Sequence, residues 1–487
     1  MEYTSRRFIL STALAVSALT AVAVPGVAAA ATSKPHVCKY AHSVSLHGPN
    51  AGDSGEDIAV DRDGSVFIVG YHSGLDLNKD GKVDRPAFGS TDPVLVKVAA
   101  DGERSEWVST AAGPGFDGAT AVAPDGTGGA WVAGRFHTGM RFDESLKLAS
   151  RGETDGFLAH YDAGGKPLMA LAIGGDAADE LNLVAVDQAG NVLIDGTVRG
   201  PVDVDHDGAT DVTASAEGSM LLASFDPHGK LRWARALSNS GQSRSGGLAV
   251  GVDGAILVSG YYQGPELDLD GDGKADLGAS SDHQQGFLAR YDAAGRLIWV
   301  RSPAGVSFGR LALASNGDIL VLGVATKASD FDGDGRPDVG PQGEKQRMLL
   351  ATYKDNGDFG WVRPFAAGLP TYIAVHGGLI ALGGLFKGPL DLDGDGSIDA
   401  SGDADGDNDG MLAILGRDGK LIEVWPVVGS SFDQVRAVAF SPDGGSIYAT
   451  GFYRQTVDFD GDGVPEGEIL PGWRGDIFIA RYDCSNG

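Results

Sequence analysis

The chain has 487 residues, of which 75 are glycine, 66 are acidic and 38 are Lys or Arg, so its formal net charge at pH 7 is −28. A surface this acidic repels nucleic acid, anionic lipid and polyanionic substrates unless bound cations neutralise it. Length alone suggests about three domains, but repeat architectures often exceed that estimate, so internal repeats have to be sought first.

The chain begins with a segment that we predict to be an export signal and not part of the fold. Arg6 and Arg7 precede an apolar run over residues 8–24, and small residues follow at 27–31. The stretch SRRFIL resembles twin-arginine signals, which send folded proteins across a bacterial membrane. We therefore expect cleavage after residues 1–31 and a protein that is secreted or held at the cell surface. A membrane anchor is the alternative, but the run is short for a bilayer and rich in Ala and Ser.

One unit recurs seven times along the rest of the chain and is clearest at residues 248–302. It holds an apolar strand, a turn with Asp-Gly or Asn-Gly, a second strand ending in Gly and an aromatic residue, an acidic loop, a third strand such as FLARYD, and a fourth strand. Four antiparallel strands per unit are typical of a propeller blade. We predict a single all-β domain over residues 32–487, a seven-bladed β-propeller. The loops start at nearly even intervals, at Asp76, Arg141, Asp203, Asp268, Asp330, Asp391 and Asp458.

Five of the seven units carry a tryptophan in the fourth strand. The tryptophans of the fourth strand are interpreted as packing between blades and not as a ligand site: Trp107, Trp233, Trp299, Trp361 and Trp425, with Met169 near the equivalent place in the second unit.

The two ends of the chain are predicted to close the ring. The last unit ends at the third strand IFIARYDC, and no fourth strand follows it. Residues 39–46, KYAHSVSL, have the pattern of a fourth strand, so we expect them to complete the last blade and remove exposed strand edges. Cys38 and Cys484 then flank a hairpin gap, which predicts a disulfide formed in an oxidising compartment. Two free buried thiols are the alternative.

Six of the seven loops repeat the pattern DxDxDGxxD or a close variant of it. Side-chain oxygens at positions one, three, five and nine, with a backbone carbonyl at position seven, can wrap a hard cation, and Gly at position six permits the sharp turn. Six loops in register favour Ca²⁺ over solvated turns, and Mg²⁺ fits less well because it keeps its waters. We predict structural calcium at about six sites, one per blade except the second. The ligands are Asp76, Asn78, Asp80, Lys82, Asp84, Asp203, Asp205, Asp207, Ala209, Asp211, Asp268, Asp270, Asp272, Lys274, Asp276, Asp330, Asp332, Asp334, Arg336, Asp338, Asp391, Asp393, Asp395, Ser397, Asp399, Asp458, Asp460, Asp462, Val464 and Glu466.

Two units depart from the pattern. In the second unit Arg141, Asp143, Ser145 and Lys147 occupy the loop, which predicts a blade without metal. In the sixth unit a second acidic run follows the first loop, and either a further ion or competition for the same ion would explain it. That run consists of Asp403, Asp405, Asp407 and Asp409.

The repeat, with its Asp-Gly turn, its Gly-aromatic pair and its DGFLARYDAAG-type third strand, resembles the bacterial seven-bladed β-propeller repeat family known as SBBP repeats. The loops are similar to the DxDxDGxxD calcium loops of integrin α-chain propellers, dockerins and thrombospondin repeats. The resemblance covers residues 38–484 and implies a propeller fold and a secreted location. It implies no particular activity.

The leading functional hypothesis is a binding module that recognises a glycan or a protein in the presence of calcium. We expect a monomer that binds no nucleic acid and does not insert into a membrane after signal cleavage. Propellers usually bind on the face that carries the strand two-to-three loops and the blade crossovers, an argument by analogy of fold. Aromatic residues beside the loops could stack on sugars or pack between blades: Tyr71, Phe136, Tyr261, Tyr262, Phe386, Phe452 and Tyr453.

Two other functions stay open. One is a calcium-dependent extracellular enzyme, a polysaccharide lyase or a phytase-like hydrolase, which would need a non-repeated catalytic cluster. The histidines are scattered over the blades, and the sequence contains no Gly-x-Ser-x-Gly, His-Glu-x-x-His or phosphate-binding loop, so we name no catalytic residue. The other is a surface scaffold whose ring is the whole function.

Overall fold

The computed structural model describes residues 38–48, 52–237, 240–278, 284–340, 346–403, 406–468 and 475–484. All regular secondary structure in these ranges is β-strand. No helix among them has the length and apolar character that a membrane span requires. The predicted export signal, residues 1–31, lies outside the described residues and stays a prediction.

Seven antiparallel sheets contain the four strands of one blade each, and their order confirms the predicted seven-bladed β-propeller. The strands of blades 1 to 4 are Ser54–Val60, Val66–His72, Asp92–Val98 and Ser105–Thr110; Gly118–Pro124, Ala130–Phe136, Asp155–Tyr161 and Pro167–Ile173; Glu180–Val186, Val192–Val198, Ser219–Phe225 and Leu231–Leu237; Ser240–Val250, Ile256–Glu266, Gln285–Tyr291 and Leu297–Arg301. Those of blades 5 to 7 are Val306–Leu313, Ile319–Ala325, Arg347–Tyr353 and Phe359–Pro364; Leu369–His376, Leu379–Phe386, Asp409–Gly416 and Leu421–Gly429; Gln434–Phe440, Ser446–Tyr453, Asp476–Cys484 and Cys38–Leu46.

The first strand of every blade faces the axis of the ring. Each first strand contacts the first strands of the blades before and after it, so the seven form a closed circle around a central channel. The second and third strands are buried on both faces because neighbouring blades cover them. One such core, between blades 1 and 2, contains Phe67, Val69, Phe136 and Phe157.

The N-terminal strand completes the last blade, as predicted. Cys38–Leu46 pairs antiparallel with Asp476–Cys484, and Cys38 lies directly opposite Cys484. A disulfide joins these two residues, which confirms the predicted bridge. The strand starts at residue 38, one residue earlier than expected, because the cysteine pair belongs to the ladder.

The fourth-strand residues pack between blades. The indole N–H of Trp107 donates to the backbone carbonyl of Ala163 in blade 2 at 3.0 Å, and that of Trp299 donates to the backbone carbonyl of Asp355 in blade 5 at 3.0 Å. The rings lie on a glycine of the next blade's turn, where a Cβ atom would clash: Trp107 on Gly165, Trp233 on Gly295, Trp299 on Gly357 and Trp361 on Gly419, while Met169 occupies this place on Gly229.

Candidate functional site

Six acidic loops join the second and third strands of their blades, on one face of the ring. We number each loop from one to nine, from residues 76–84, 203–211, 268–276, 330–338, 391–399 and 458–466. In all six loops the carboxylate at position nine accepts the N–H of position two at 2.7 to 2.9 Å. The carboxylate at position one accepts the N–H of the glycine at position six at 2.7 to 3.1 Å. These two bonds close each loop into a ring.

Two further hydrogen bonds in each loop involve the side chains at positions three and five. The oxygen at position three accepts the N–H of position five at 2.9 to 3.2 Å. The oxygen at position five accepts the N–H of position seven at 2.7 to 2.9 Å. The six loops therefore share one conformation and not only one sequence pattern.

The backbone conformation favours the glycine at position six. It has φ between 82° and 94° in the six loops, and a Cβ atom there would meet nothing within 4 Å. The left-handed conformation, and not lack of space, thus favours glycine at this position. Position four is also left-handed, and in two loops Lys79 and His206 adopt it with φ of 59° and 62°.

In five acidic loops, carboxylate groups come close enough to share a metal ion. At least three of them in each loop bring an oxygen within 4.8 Å of one another: Asp203, Asp205 and Asp211; Asp268, Asp270 and Asp276; Asp330, Asp332 and Asp338; Asp391, Asp393 and Asp399; Asp458, Asp460, Asp462 and Glu466. The predicted position-five aspartate joins the group only in blade 7. The loop of blade 1 has Asn78 at position three, and within the described residues its carboxylates form no such group.

The gathered carboxylates disfavour one another's charged form. Burial, and then the neighbouring carboxylates of the same loop, raise the pKa of Asp276, Asp399 and Glu466 above its ordinary value. A bound cation would remove this repulsion, since the donors are carboxylate and carbonyl oxygens that suit a hard divalent ion. The residues present therefore fit a metal ion.

Blades 2 and 3 differ from the others through Arg151. The loop of blade 2 is a short hairpin, Gly139–Arg141 with Lys147–Ala149. Beyond it, the guanidinium of Arg151 lies 2.9 Å from the carboxylate of Asp203, at position one of the acidic loop of blade 3. This pair competes with a metal ion for Asp203, so we expect the loop of blade 3 to bind metal more weakly than the loops of blades 4 to 7. The sequence pattern did not indicate the contact.

The second acidic run of blade 6 is part of the blade itself. Asp409 begins the third strand, is buried, and accepts the N–H of Asp403 at 3.3 Å. Asp405 lies outside the described residues, so a further ion in this run stays a prediction.

Buried aspartates attach the crossovers between blades to the ends of the second strands, on the face that carries the acidic loops. Four crossovers carry an aspartate, at most 3% exposed, whose carboxylate accepts the first N–H after the second strand of its blade. Burial, followed by nearby carboxylates, raises the pKa of Asp53 to about 7, of Asp179 to about 6 and of Asp433 to about 8. The pairs are Asp53 with Ser73, Asp117 with His137, Asp179 with Arg199 and Asp433 with Arg454, at 2.6 to 2.8 Å.

The central channel holds polar residues that sequence reasoning missed. Each first strand has a β-bulge, and the bulged residues differ from blade to blade. Glu56 and Arg436 form an ion pair at 2.5 Å, and the Arg310 guanidinium lies 5.0 Å from the ring centroid of Tyr372. Residues of six blades line a cavity of about 250 Å³ at this point: Glu56, Thr120, Asn182, Leu183, Ser245, Gly246, Arg310 and Tyr372.

The aromatic residues predicted on the loop face divide into two groups. Four are packing residues with exposures of 3% or less: Phe136, Tyr262, Phe386 and Tyr453. The other three, Tyr71, Tyr261 and Phe452, are half-buried. Phe116, which the sequence did not single out, lies 5.4 Å from Tyr71 between ring centroids and is 40% exposed.

No protein-family model matches the chain. An uncharacterized WD repeat-containing protein of Acanthamoeba polyphaga mimivirus is 24% identical over 157 residues, which cover 30% of this chain and 11% of that protein. The chain thus spans a small part of the length of that relative.

Several solved structures are similar to the chain at low identity. Kuenenia stuttgartiensis hydrazine synthase has a TM-score of 0.45 at 12% identity, covering 81% of this chain and 92% of the other. The polysaccharide lyase Uly1 has a TM-score of 0.45 at 10% identity, covering 92% and 100%. The phage phi92 endosialidase has a TM-score of 0.39 at 9% identity, covering 92% and 69%. The fold assignment above rests on the strand pairing of this chain.

Proposed function

We propose that this protein is an exported, calcium-loaded β-propeller that acts as a monomeric binding module for a glycan or another protein. The observation that carries the proposal is the contrast between two parts of one face. The six acidic loops repeat a single conformation, as a structural element does, whereas the residues around the channel differ from blade to blade, as a recognition site does.

Calcium fits the acidic loops better than other ions. Each loop offers carboxylate or amide oxygens at positions one, three, five and nine and a carbonyl at position seven, which is the kind of donor that Ca²⁺ prefers, and a bidentate carboxylate or water completes its six to eight oxygen ligands. When bound, the ion would cancel the repulsion between the carboxylates and hold the loop closed. Extracellular sites of this kind have Kd values of about 0.1 to 1 mM, and a tenfold excess of calcium stabilises each by ~1.4 kcal/mol.

Export through the predicted twin-arginine-like signal agrees with the disulfide between Cys38 and Cys484. Disulfides form and persist in oxidising compartments. Calcium at millimolar concentration is also an extracellular condition, so the location and the proposed metal support each other.

The test is a pull-down of the mature protein on a panel of immobilised polysaccharides, in calcium and in chelator, with the supernatants analysed for released sugars. Calcium-dependent retention without products supports a glycan-binding module. Released products contradict the binding role and favour a calcium-dependent lyase or hydrolase. If no polysaccharide is retained, the same resin format with extracellular proteins of the source cells decides between a protein ligand and a scaffold without one.

A further inference from the structure

Three arginines of blades 2, 3 and 4 lie toward the strand ends on the face of the acidic loops. Arg135 is the penultimate residue of the second strand of blade 2, Arg199 follows the second strand of blade 3, and Arg244 lies in the first strand of blade 4. With Glu180 and Thr197 of blade 3 they form a group that we call the arginine patch. Arg199 corresponds to Arg454 of blade 7, but the positions equivalent to Arg135 and Arg244 hold no arginine in the other blades, so the combination occurs once.

The guanidinium groups of Arg199 and Arg244 lie side by side. A Cβ atom added to Gly218 would lie 2.7 Å from Nη1 of Arg244 and 3.6 Å from Cζ of Arg199, so this glycine leaves room for both. Burial, and then the charge of Arg199, lowers the pKa of Arg244. The fold therefore holds two like charges close together, which costs free energy unless an anion joins them.

Few acceptor groups of the protein bind these two guanidinium groups. Nη1 of Arg199 donates to the carbonyl oxygen of Ala178, and Nη1 of Arg244 donates to that of Ser243 at 3.3 Å. Within the described residues, neither arginine has a carboxylate at ion-pair distance. The nearby carboxylate of Glu180 is bound to Arg135 at 3.2 Å. Three cationic groups thus share one carboxylate in a chain whose net charge is −28.

The patch also contains a hydroxyl group without a partner. Thr197 is 1% exposed, and its Oγ1 has no hydrogen-bond partner. Its Cγ2 lies 3.3 Å from the same point beside Gly218 that the two guanidinium groups border. A buried hydroxyl without a partner costs ~1 to 3 kcal/mol, so the protein leaves a polar group unsatisfied directly beside the two arginines.

Aromatic rings extend the patch toward blade 1. Phe116, 40% exposed, lies 5.4 Å from the guanidinium of Arg135 and 5.4 Å from the ring of Tyr71. On the other side, Tyr261 pairs across the strands with Arg244. Aromatic rings beside guanidinium groups suit a ligand that has a ring with apolar faces and an anionic group. Guanidinium groups bind carboxylates through two parallel hydrogen bonds.

From this geometry we infer that the arginine patch binds a sugar residue that carries a carboxylate, that is, a uronic acid of an acidic glycan. Arg199 and Arg244 hold the carboxylate beside Tyr261, and Phe116 and Tyr71, which lie beside Arg135, contact a neighbouring sugar of the same glycan. The inference rests on the proposed binding function and names its ligand class.

The test is isothermal titration of the mature protein with trigalacturonate, at a fixed free calcium concentration, against a neutral galactose trimer. We expect binding of the acidic trimer only. Arg199→Gln and Arg244→Gln should each weaken it about tenfold or more, which is ~1.4 kcal/mol or more. Arg296→Gln is the matched control, since its side chain is 79% exposed in the turn between the third and fourth strands of blade 4 and should leave the affinity unchanged.

Melting curves of the variants establish that they fold, and the conservative Arg244→Lys variant should bind more tightly than Arg244→Gln. Unchanged binding in both glutamine variants overturns the inference. Equal affinity for a triglutamate peptide overturns the sugar class. If trigalacturonate does not bind but the pull-down retains a neutral glycan or a protein, the patch inference fails and the proposed function stands; if nothing binds in either assay, both fail.

Discussion

Removing the disulfide that closes the ring should destabilise the whole propeller. The perturbation is Cys38→Ser with Cys484→Ser, which leaves the eight-residue pairing of the N-terminal strand with Asp476–Cys484 in place. The bond joins residues 446 positions apart. For a loop of that length the chain-entropy relation gives ~6 kcal/mol, while measured losses for native disulfides are about 2 to 5 kcal/mol.

The assay is guanidinium unfolding of the wild type, the double variant and Cys484→Ser alone. We expect the two variants to unfold at the same lower denaturant concentration, because either substitution removes the bond. Hydrogen exchange should rise first in Cys38–Leu46, the strand that the bond no longer holds. A double variant with the midpoint of the wild type would refute the view that the ring is held closed at this blade.

Three other outcomes are expected. Chelator should lower the melting temperature, and calcium should restore it more fully than magnesium at equal concentration; an unchanged melt contradicts calcium in the acidic loops. Gly463→Ala should lower the free energy of unfolding by ~1 to 2 kcal/mol because φ is 88° at this residue. Gly278→Ala is the control, since an added Cβ atom there meets nothing within 4 Å and φ is not left-handed. Its thermal melt should be nearly that of the wild type. Burial raises the pKa of Asp433 to about 8 in the folded protein. The protonated carboxyl therefore contributes fully to the free energy of unfolding below about pH 4, and this contribution is lost as the pH rises through 8. The total loss is on the order of 5 kcal/mol. Between about pH 4 and 8, Asp433→Asn should therefore flatten the pH dependence of the unfolding midpoint. Exposed Asp443→Asn should not change it there, because hydrogen bonds from Ser441 and Gly445 lower the pKa of Asp443. Equal slopes for Asp433→Asn and wild type in this range contradict the buried, protonated carboxyl.

The sequence allowed the fold to be predicted because the propeller repeats. The period placed each acidic loop between its second and third strands, and the missing fourth strand at the C-terminus located its replacement at residues 39–46. Cys38 and Cys484 could be paired because ring closure puts the two ends opposite each other. Each of these predictions needed only the order of elements along the chain.

The channel and the arginine patch could not be predicted from the same pattern. Glu56 and Arg436 form an ion pair across the seam between blades 7 and 1, 380 positions apart in the chain. Arg199 and Arg244 lie in different blades at non-equivalent places in the repeat, so alignment of the units separates them. Only the closed ring brings such residues together.

The contact of Arg151 with Asp203 shows the limit of motif analysis within the loops. The motif at residues 203–211 matches the calcium pattern, yet a side chain from the neighbouring blade occupies its first carboxylate. The pattern predicts which groups can bind an ion, and the neighbouring blade decides how freely they do so.

The most direct test of calcium in the acidic loops is native mass spectrometry of the mature protein after dialysis against calcium, repeated with Asp458→Asn and Asp460→Asn together. The loops of blades 1 and 3 to 7 predict up to six bound calcium ions. The double variant, altered at two of the four carboxylates of one group, should lose one ion. A protein that binds no calcium, or a variant that binds as many ions as the wild type, would contradict the account.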